Sequence, residues 1–286
     1  MPELPEVETV KRTLNELIRG KTIAHVTVRL PRIIQKPDDI QQFETFLQGQ
    51  TIESIERRGK FLRFVLTDYV MVSHLRMEGR YGLYDGDDEL EPHTHVLFRF
   101  TDGSELRYKD VRQFGTMHLF PKGEELTSPP LVKLGIEPLD EAFTFKAFKA
   151  QIAHRATKIK PLLLNQAYIV GIGNIYVDES LFLAGIHPER EAKSLSKKEL
   201  MGLHEAIVRT LQESVDVGGS SIKSYVNGQG EIGLFQHQLN IYGRGAQPCK
   251  TCGTEIVKTV VGGRGTHICL KCQPIKQGNS RKKSEK

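Results

Sequence analysis

The residues of this chain best suited to chemistry sit near its two ends. All four cysteines fall in Cys249-Lys-Thr-Cys252 and Cys269-Leu-Lys-Cys272, with sixteen residues between the two pairs. This is the spacing of a tetra-cysteine zinc site. Buried free thiols or disulfides are the other readings. A cytoplasmic setting disfavours disulfides, and isolated structural cysteines would not all gather into two such pairs. Four thiolates close the coordination shell, so one structural Zn2+ is expected to hold a hairpin in shape while doing no chemistry. The chemistry must come from elsewhere, and the first candidates are Pro2 and Glu3. Removal of Met1 would present the Pro2 secondary amine, with an unperturbed pKa of about 7.7 to 8, as a nucleophile with a substantial unprotonated fraction near neutrality. Glu3 beside it is a carboxylate suited to general acid and base work. The same pair also suits an ordinary helix-leading terminus.

Elements to hold these groups can be read from periodicity. Val7, Val10, Leu14, Leu17 and Ile18 recur at helical spacing, and Gly20 stands where a C-cap glycine would, so Pro5 to Ile18 reads as one amphipathic helix. Glu6 and Glu8 read as first-turn helix charge. From Thr22 to Phe120 short alternating runs, such as Phe61-Leu-Arg-Phe-Val-Leu66, are punctuated by Asp-Gly pairs at Asp85 and Asp102 and predict an antiparallel β-sandwich. After Ser128-Pro-Pro130 helical periodicity takes over in 145–154, 160–166, 173–184 and 196–217, the last opened by a Ser196/Glu199 capping box.

The organisation expected is therefore α+β and multidomain. Residues 1–130 form the β-sandwich with flanking helices, 131–238 a helical domain, 239–273 the zinc hairpin, and 274–286 a disordered basic tail. The Gly-rich stretch 218–233 reads as a mobile loop within the helical domain. Between the cysteine pairs, Thr259-Val-Val-Gly-Gly-Arg-Gly-Thr266 reads as a hairpin whose tip presents Arg264, suited to phosphate or groove contact or else simply solvated.

The formal net charge is +5, yet residues 241–286 hold 10 Lys+Arg against 2 Asp+Glu, so the basic excess is C-terminal. Localised positive charge fits a polyanion such as nucleic acid, or a solvated tail. No apolar run approaches the roughly 18 residues of a membrane span, and the charged start MPELPEVETVK is no secretory signal. A cytoplasmic protein is expected, with no membrane partner.

Taken in order, Met1-Pro-Glu-Leu-Pro-Glu-Val-Glu-Thr9, Arg57-Arg-Gly-Lys60, His74-Leu-Arg-Met-Glu-Gly79, Gly171-Ile-Gly-Asn-Ile-Tyr-Val-Asp-Glu179, Tyr242-Gly-Arg and the four-cysteine hairpin closely resemble bacterial formamidopyrimidine-DNA glycosylases. The resemblance covers everything but the tail. It implies that the helical domain is a helix-two-turn-helix domain, and that the chain is a monomeric base-excision enzyme acting on double-stranded DNA containing oxidised purines, with an associated strand-nicking lyase activity. By the same resemblance Pro2 is the nucleophile, Glu3 its acid and base, Lys60 the β-elimination lysine and Arg264 the δ-elimination residue. A base must leave the stack before it can be excised. Met77, Arg112 and Phe114 match the family's void-filling residues, although Met77 and Phe114 equally suit a core. His93 and Asn174 match DNA contacts, Asn174 also reading as the cap of the helix that follows. Ser220, Ile222, Lys223, Ser224 and Tyr225 match the damage-reading loop. Asn165 stands where the family pattern carries an acid, which puts local packing or capping in question. Two rivals remain at this stage: an endonuclease VIII-like enzyme for oxidised pyrimidines, served by the same Pro2-Glu3 chemistry, and a non-catalytic zinc-finger DNA-binding protein.

Overall fold

In a computed structural model, which describes residues 1–220 and 234–275, the elements run α1 (Leu4–Ile18), β1 (Ile23–Val28), β2 (Ile34–Lys36), α2 (Ile40–Leu47), β3 (Ile52–Arg58), β4 (Phe61–Leu66), β5 (Tyr69–His74), β6 (Arg80–Asp85), β7 (Thr94–Phe100), β8 (Ser104–Lys109), β9 (Thr116–Pro121), α3 (Phe145–Ile152), α4 (Ile159–Leu164), α5 (Asn174–Leu183), α6 (Lys197–Asp216), β10 (Val257–Val261) and β11 (Arg264–Ile268). They divide between two compact units, one of 1–137 with 212–238 and one of 138–211 with 239–286. The expectations for Ile222, Lys223, Ser224, Tyr225 and the end of the tail lie outside the described residues. No helix among the described residues is long and apolar enough to cross a membrane.

In the first unit a four-stranded sheet, β1-β7-β8-β6, and a five-stranded sheet, β2-β9-β5-β4-β3, share one apolar core. Helix α1 contributes Val7, Val10, Leu14 and Ile18 to it, the stripe that its 3.6-residue period predicts. Each such side chain adds about 1.5–3 kcal/mol of hydrophobic stabilisation. Three features refine the antiparallel expectation. Strand β2 pairs with β9 in parallel, and α2 interrupts the run of strands, burying only Phe43 and Leu47. Asp102-Gly103 does turn β7 into β8, but Asp85-Gly86 opens a longer connection because β6 pairs with β8.

Tyr108 occupies a central place in that core. Its hydroxyl lies against Gly79 and Gly115, where an added Cβ would stand 2.3 and 1.7 Å away. Only glycine lets the chain pass this close. The two segments so pinned, 75–79 and 110–115, are the ones that carry Met77 and the Arg112/Phe114 pair.

In the second unit α5 is buried from Ile175 to Phe182, its polar residues Asp178, Glu179 and Ser180 included. Helix α6 opens with the expected reciprocal cap, Ser196 Oγ accepting from Glu199 N at 3.2 Å and Glu199 Oε2 from Ser196 N at 2.8 Å. Asn165 ends α4, where its side-chain oxygen accepts from the Ala167 N–H at 3.0 Å, so this position does capping work without a charge. Strands β10 and β11 form the expected hairpin around Gly262-Gly263, whose φ values of 58° and 74° are those of a type I′ turn.

Because Tyr108 leaves no room at Gly115, Gly115→Ala should lower unfolding stability by about 1–3 kcal/mol through overpacking. Gly202→Ala is the control, since nothing lies within 4 Å of a Cβ there and helix propensity favours alanine. Urea denaturation of the two variants checks this. Equal stabilities would refute the close packing of Tyr108.

Candidate functional site

The amino terminus is buried by its own first turn. Pro2 and Glu3 are both buried, and Glu3 is the N-cap of α1. The Glu6 carboxylate accepts from the Glu3 backbone N–H at 2.8 Å through one oxygen, and the Glu3 carboxylate reciprocates on the third residue of the helix. The second Glu6 oxygen accepts from the Ser220 backbone N–H, also at 2.8 Å. Gly219, with φ +80°, packs so closely on Glu6 that a Cβ there would stand 2.9 Å from Oε1. Glu6 is only 2 % exposed, and it joins the Pro2-Glu3 corner to the first residue of the candidate damage-reading loop. Its reading as simple helix charge is thereby corrected. The spacing Glu3-x-x-Glu6 is the capping-box signature that could have shown it.

Lys60 ends the two-residue turn between β3 and β4 and is largely buried. The turn is held from behind. Arg57 donates to the Gly59 carbonyl at 3.0 Å, to Glu8 Oε2 at 3.0 Å and to Glu137 Oε2 at 2.8 Å, while Glu137 Oε1 accepts from Arg58 and from Gly59 N. Burial alone would raise the Glu8 carboxyl, but its bonds to Lys11 and Arg57 hold it below the usual range, so it is the anionic anchor of Arg57. His74, at the end of β5, pairs in register with Phe61 and is pushed down to about 3 by burial, assisted by the cations of Arg76 and Lys60. It therefore stays neutral beside Lys60 at any physiological pH.

Met77, His93, Arg112 and Phe114 are all exposed, which removes the core reading of the two apolar ones. Phe114 shows 53 % of its surface to solvent, with the Arg112 guanidinium 5.0 Å from its ring centre. A buried carboxylate that sequence reading overlooked sets their turn. Asp110 Oδ1 accepts from Arg112 N at 3.1 Å and Oδ2 from Gly115 N at 2.8 Å. The Asp110 N–H donates to the His93 carbonyl at 3.1 Å, so His93 is tied to the same turn. Asp110 sits two residues before Arg112 in an Asx-turn position, which was its available signal.

In the second unit the structure brings Asn174 and the hairpin together. Asn174 is the first residue of α5 while Gly173 takes the cap position, so the expected side-chain cap is not made. Instead Asn174 Nδ2 donates to the Gly265 carbonyl at 2.9 Å, next to Arg264, which is exposed beside the turn. The α5 residue Glu179 is buried and accepts four bonds, from Asn240 N and Nδ2, Ile241 N and Tyr242 N, at 2.8 to 3.1 Å, which fixes the approach to the cysteine module. The four cysteine sulfurs lie within 4.8 Å of one another. Cys249 and Cys272 approach to 3.9 Å and Cys252 and Cys269 to 3.4 Å, near the edge of about 3.8 Å that a tetrahedron with 2.3 Å zinc–sulfur bonds requires. The donor set fits one closed zinc site, packed on Phe182, Ile241 and Ile256.

Three known families match the chain in sequence order: the formamidopyrimidine-DNA glycosylase N-terminal domain over 1–117, its H2TH domain over 134–226, and the zinc finger found in FPG and IleRS over 246–275. The formamidopyrimidine-DNA glycosylases of Brevibacillus brevis and Cytobacillus firmus are each 64 % identical over 273 residues, covering 96 % of this chain and 99 % and 100 % of theirs. The crystal structure of wild-type Lactococcus lactis Fpg with DNA containing N7-benzyl-Fapy-dG superposes with a TM-score of 0.89 at 43 % identity, covering 96 % of this chain and 100 % of that one. A second structure of that protein, holding DNA with an oxidised pyrimidine, gives 0.89 at 42 %, with 96 % and 100 % covered. By its ordered run of domains and by identity along nearly its whole length, this chain belongs to the formamidopyrimidine-DNA glycosylase family.

Proposed function

We propose that this chain excises oxidised purines, 8-oxoguanine and formamidopyrimidines, from double-stranded DNA and then cleaves the strand by β,δ-elimination, with the Pro2 amine as nucleophile. The observation that carries this reading is the buried Pro2-Glu3 corner, fixed by Glu6 at the start of α1 in a chain of this family. Loss of Met1 frees the secondary amine. Its lone pair attacks the sugar C1′, the bond from C1′ to the base breaks, and the base leaves with that electron pair and a proton. Glu3 exchanges protons with the sugar as its ring opens. The resulting iminium has no N–H to lose, so it stays cationic and draws electrons from C2′. Loss of the C2′ proton then expels the 3′ phosphate, with Lys60 serving this step, and a second elimination expels the 5′ phosphate. A guanidinium that never deprotonates is a poor acid, so Arg264 serves that second departure by neutralising phosphate charge.

Excision requires an extruded base. Exposed Met77 and Phe114 are suited to fill the vacated space, and Arg112 to hydrogen-bond the orphaned cytosine. His93 and Asn174 contact the backbone, and Ser220 with Ile222, Lys223, Ser224 and Tyr225 reads the flipped purine. In this assignment 1–130 is the catalytic domain, 131–238 the helix-two-turn-helix domain and 239–273 the finger. The zinc supplies no step; held by Cys249, Cys252, Cys269 and Cys272, it fixes the hairpin that bears Arg264. The protein acts as a monomer in the bacterial cytoplasm at the nucleoid. Oxidised pyrimidines are the second substrate class, since the Lactococcus lactis protein also holds DNA containing one.

Two measurements test this reading. Borohydride should trap the protein covalently on an 8-oxoguanine·cytosine duplex, with the adduct mapping to Pro2, and acetylation of the terminus should abolish base release while leaving affinity within a few-fold. Full excision by the blocked protein, or an adduct on a lysine, would sink the mechanism. Removal of zinc by a strong chelator should weaken duplex binding by ten-fold or more, about 1.4 kcal/mol, with zinc repletion restoring it. Metal analysis finding no zinc in fully active protein would remove the structural role.

A further inference from the structure

Between Glu141 and Asp178 the chain carries five Lys and Arg residues and no acidic one. Four of the five, Lys146, Lys149, Arg155 and Lys158, are exposed. Lys158 is offset by Glu189 at 2.5 Å, whereas Arg155 is held by neutral groups alone. The Arg155 carbonyl accepts from the Lys193 backbone N–H at 2.9 Å, which fixes the main chain there. Its Nε donates to the Gln151 carbonyl at 2.9 Å, and its guanidinium lies over the Tyr168 ring, 4.0 Å from the ring centre. Among the described residues Nη1 and Nη2 meet no acceptor. With Nε engaged, the end-on fork of two Nη groups remains, which matches two oxygens of a phosphate. Tyr168 in turn stands on a braced loop. The Asn165 carbonyl accepts from the Tyr168 N–H at 3.0 Å and its side-chain oxygen from Ala167 N–H at 3.0 Å. The Gln166 amide closes the same loop, donating to the Leu164 and Ile172 carbonyls at 3.0 and 2.9 Å and accepting from Gly171 N–H at 2.8 Å. Two residues beyond Ile172 the loop delivers Asn174.

Holding an exposed arginine in one place costs rotamer entropy. A surface contact recovers little of that cost in the fold itself, but a side chain already set in its binding geometry gains it back when a ligand arrives. The acid-free surroundings select a polyanion as that ligand. Continuity of the loop with Asn174, assigned above to the DNA backbone, selects the same duplex. Asn165 belongs to this surface as well. A carboxylate at 165 could make the same bond to Ala167 N–H, yet it would set a negative charge on the turn that bears Tyr168. We propose that Arg155, stacked on Tyr168, binds a backbone phosphate of the duplex flanking the lesion, on a surface kept free of opposing charge by Asn165. This site rests on duplex DNA being the ligand and not on the chemistry at Pro2.

The test is affinity for an undamaged duplex as a function of salt, between about 50 and 200 mM, alongside single-turnover base release from an 8-oxoguanine duplex at saturating enzyme. Each neutralised phosphate contributes about 0.9 to the slope of log K against log salt. Arg155→Ala should therefore flatten the slope by about that amount and weaken low-salt binding by about three- to ten-fold, with base release within about two-fold of the unaltered protein. Tyr168→Phe keeps the ring and should keep both values. Tyr168→Ala should move toward Arg155→Ala, and the double variant should go no further, the non-additivity expected of residues acting through one group. Asn165→Asp, which preserves volume and the Ala167 bond, should weaken binding at low salt and approach the unaltered protein as salt screens the added charge. A slope unchanged by Arg155→Ala overturns the phosphate site, as does a loss of affinity that is equal at every salt concentration. Binding by Asn165→Asp that matches the unaltered protein at low salt overturns the part given to Asn165. Should Tyr168→Ala fail to fold, exposed Arg155 and the Tyr168→Phe variant still decide the matter. Absence of base release from the unaltered protein would overturn the glycosylase reading, while this site would stand or fall on the slope.

Discussion

The Glu6 carboxylate, buried at the first turn of α1, receives two backbone N–H groups, one from Glu3 and one from Ser220. A charge taken out of water is costly unless hydrogen-bonded, and here both oxygens are engaged at 2.8 Å while the positive end of the helix dipole lies beside them. Consequences run in both directions along the chain. Toward the terminus, Glu3 has one conformation, and with it Pro2 one location. Toward position 220, the chain can approach only because Gly219 has no side chain and a φ of +80°. In the proposed mechanism the nucleophile and the start of the loop that reads the base are thus held by a single residue with no chemistry of its own.

The same device recurs in three further loops. Asp110 takes the N–H groups of Arg112 and Gly115, Glu137 that of Gly59 beside Lys60, and Glu179 those of Asn240, Ile241 and Tyr242. Each carboxylate lies at least partly buried, and each loop it organises carries cations or exposed apolar groups suited to a polyanion. Loops held this way keep their geometry without packing their functional side chains, leaving Phe114 and Arg112 exposed to meet a ligand. Tyr108 adds a steric version of the constraint, since its hydroxyl admits nothing larger than glycine at 79 or 115.

What could be read from the residues alone follows how local each feature is. The cysteine pairs, the α1 stripe, the Ser196/Glu199 cap and the Gly262-Gly263 turn are written within a few residues, and all four form. Features decided at long range were not legible. The parallel pairing of β2 with β9 depends on partners some eighty residues apart. Helix α2 buries too few side chains to produce a clear period. Asn174 was assigned the cap one position too late because its true partner, the Gly265 carbonyl, comes from the other end of the chain. Asp178 and Glu179 lie inside a recognisable motif, yet nothing in a local pattern distinguishes a buried carboxylate from a solvated one; only the fold brings the His267 N–H to Asp178 and the Asn240, Ile241 and Tyr242 N–H groups to Glu179. Family resemblance named the candidate groups, whereas their supporting carboxylates emerge from the fold.

The account stands most directly on Glu6. Substituting Glu6→Gln keeps the volume but leaves a single acceptor oxygen, so the Glu3 and Ser220 N–H groups cannot both be satisfied. The decisive measurement is the single-turnover rate of borohydride trapping on an abasic duplex, with duplex affinity determined on the same protein. If Glu6 positions the nucleophile, affinity stays within a few-fold while the trapping rate falls by about ten- to a hundred-fold. A folded Glu6→Gln protein that traps DNA at the unaltered rate would contradict it.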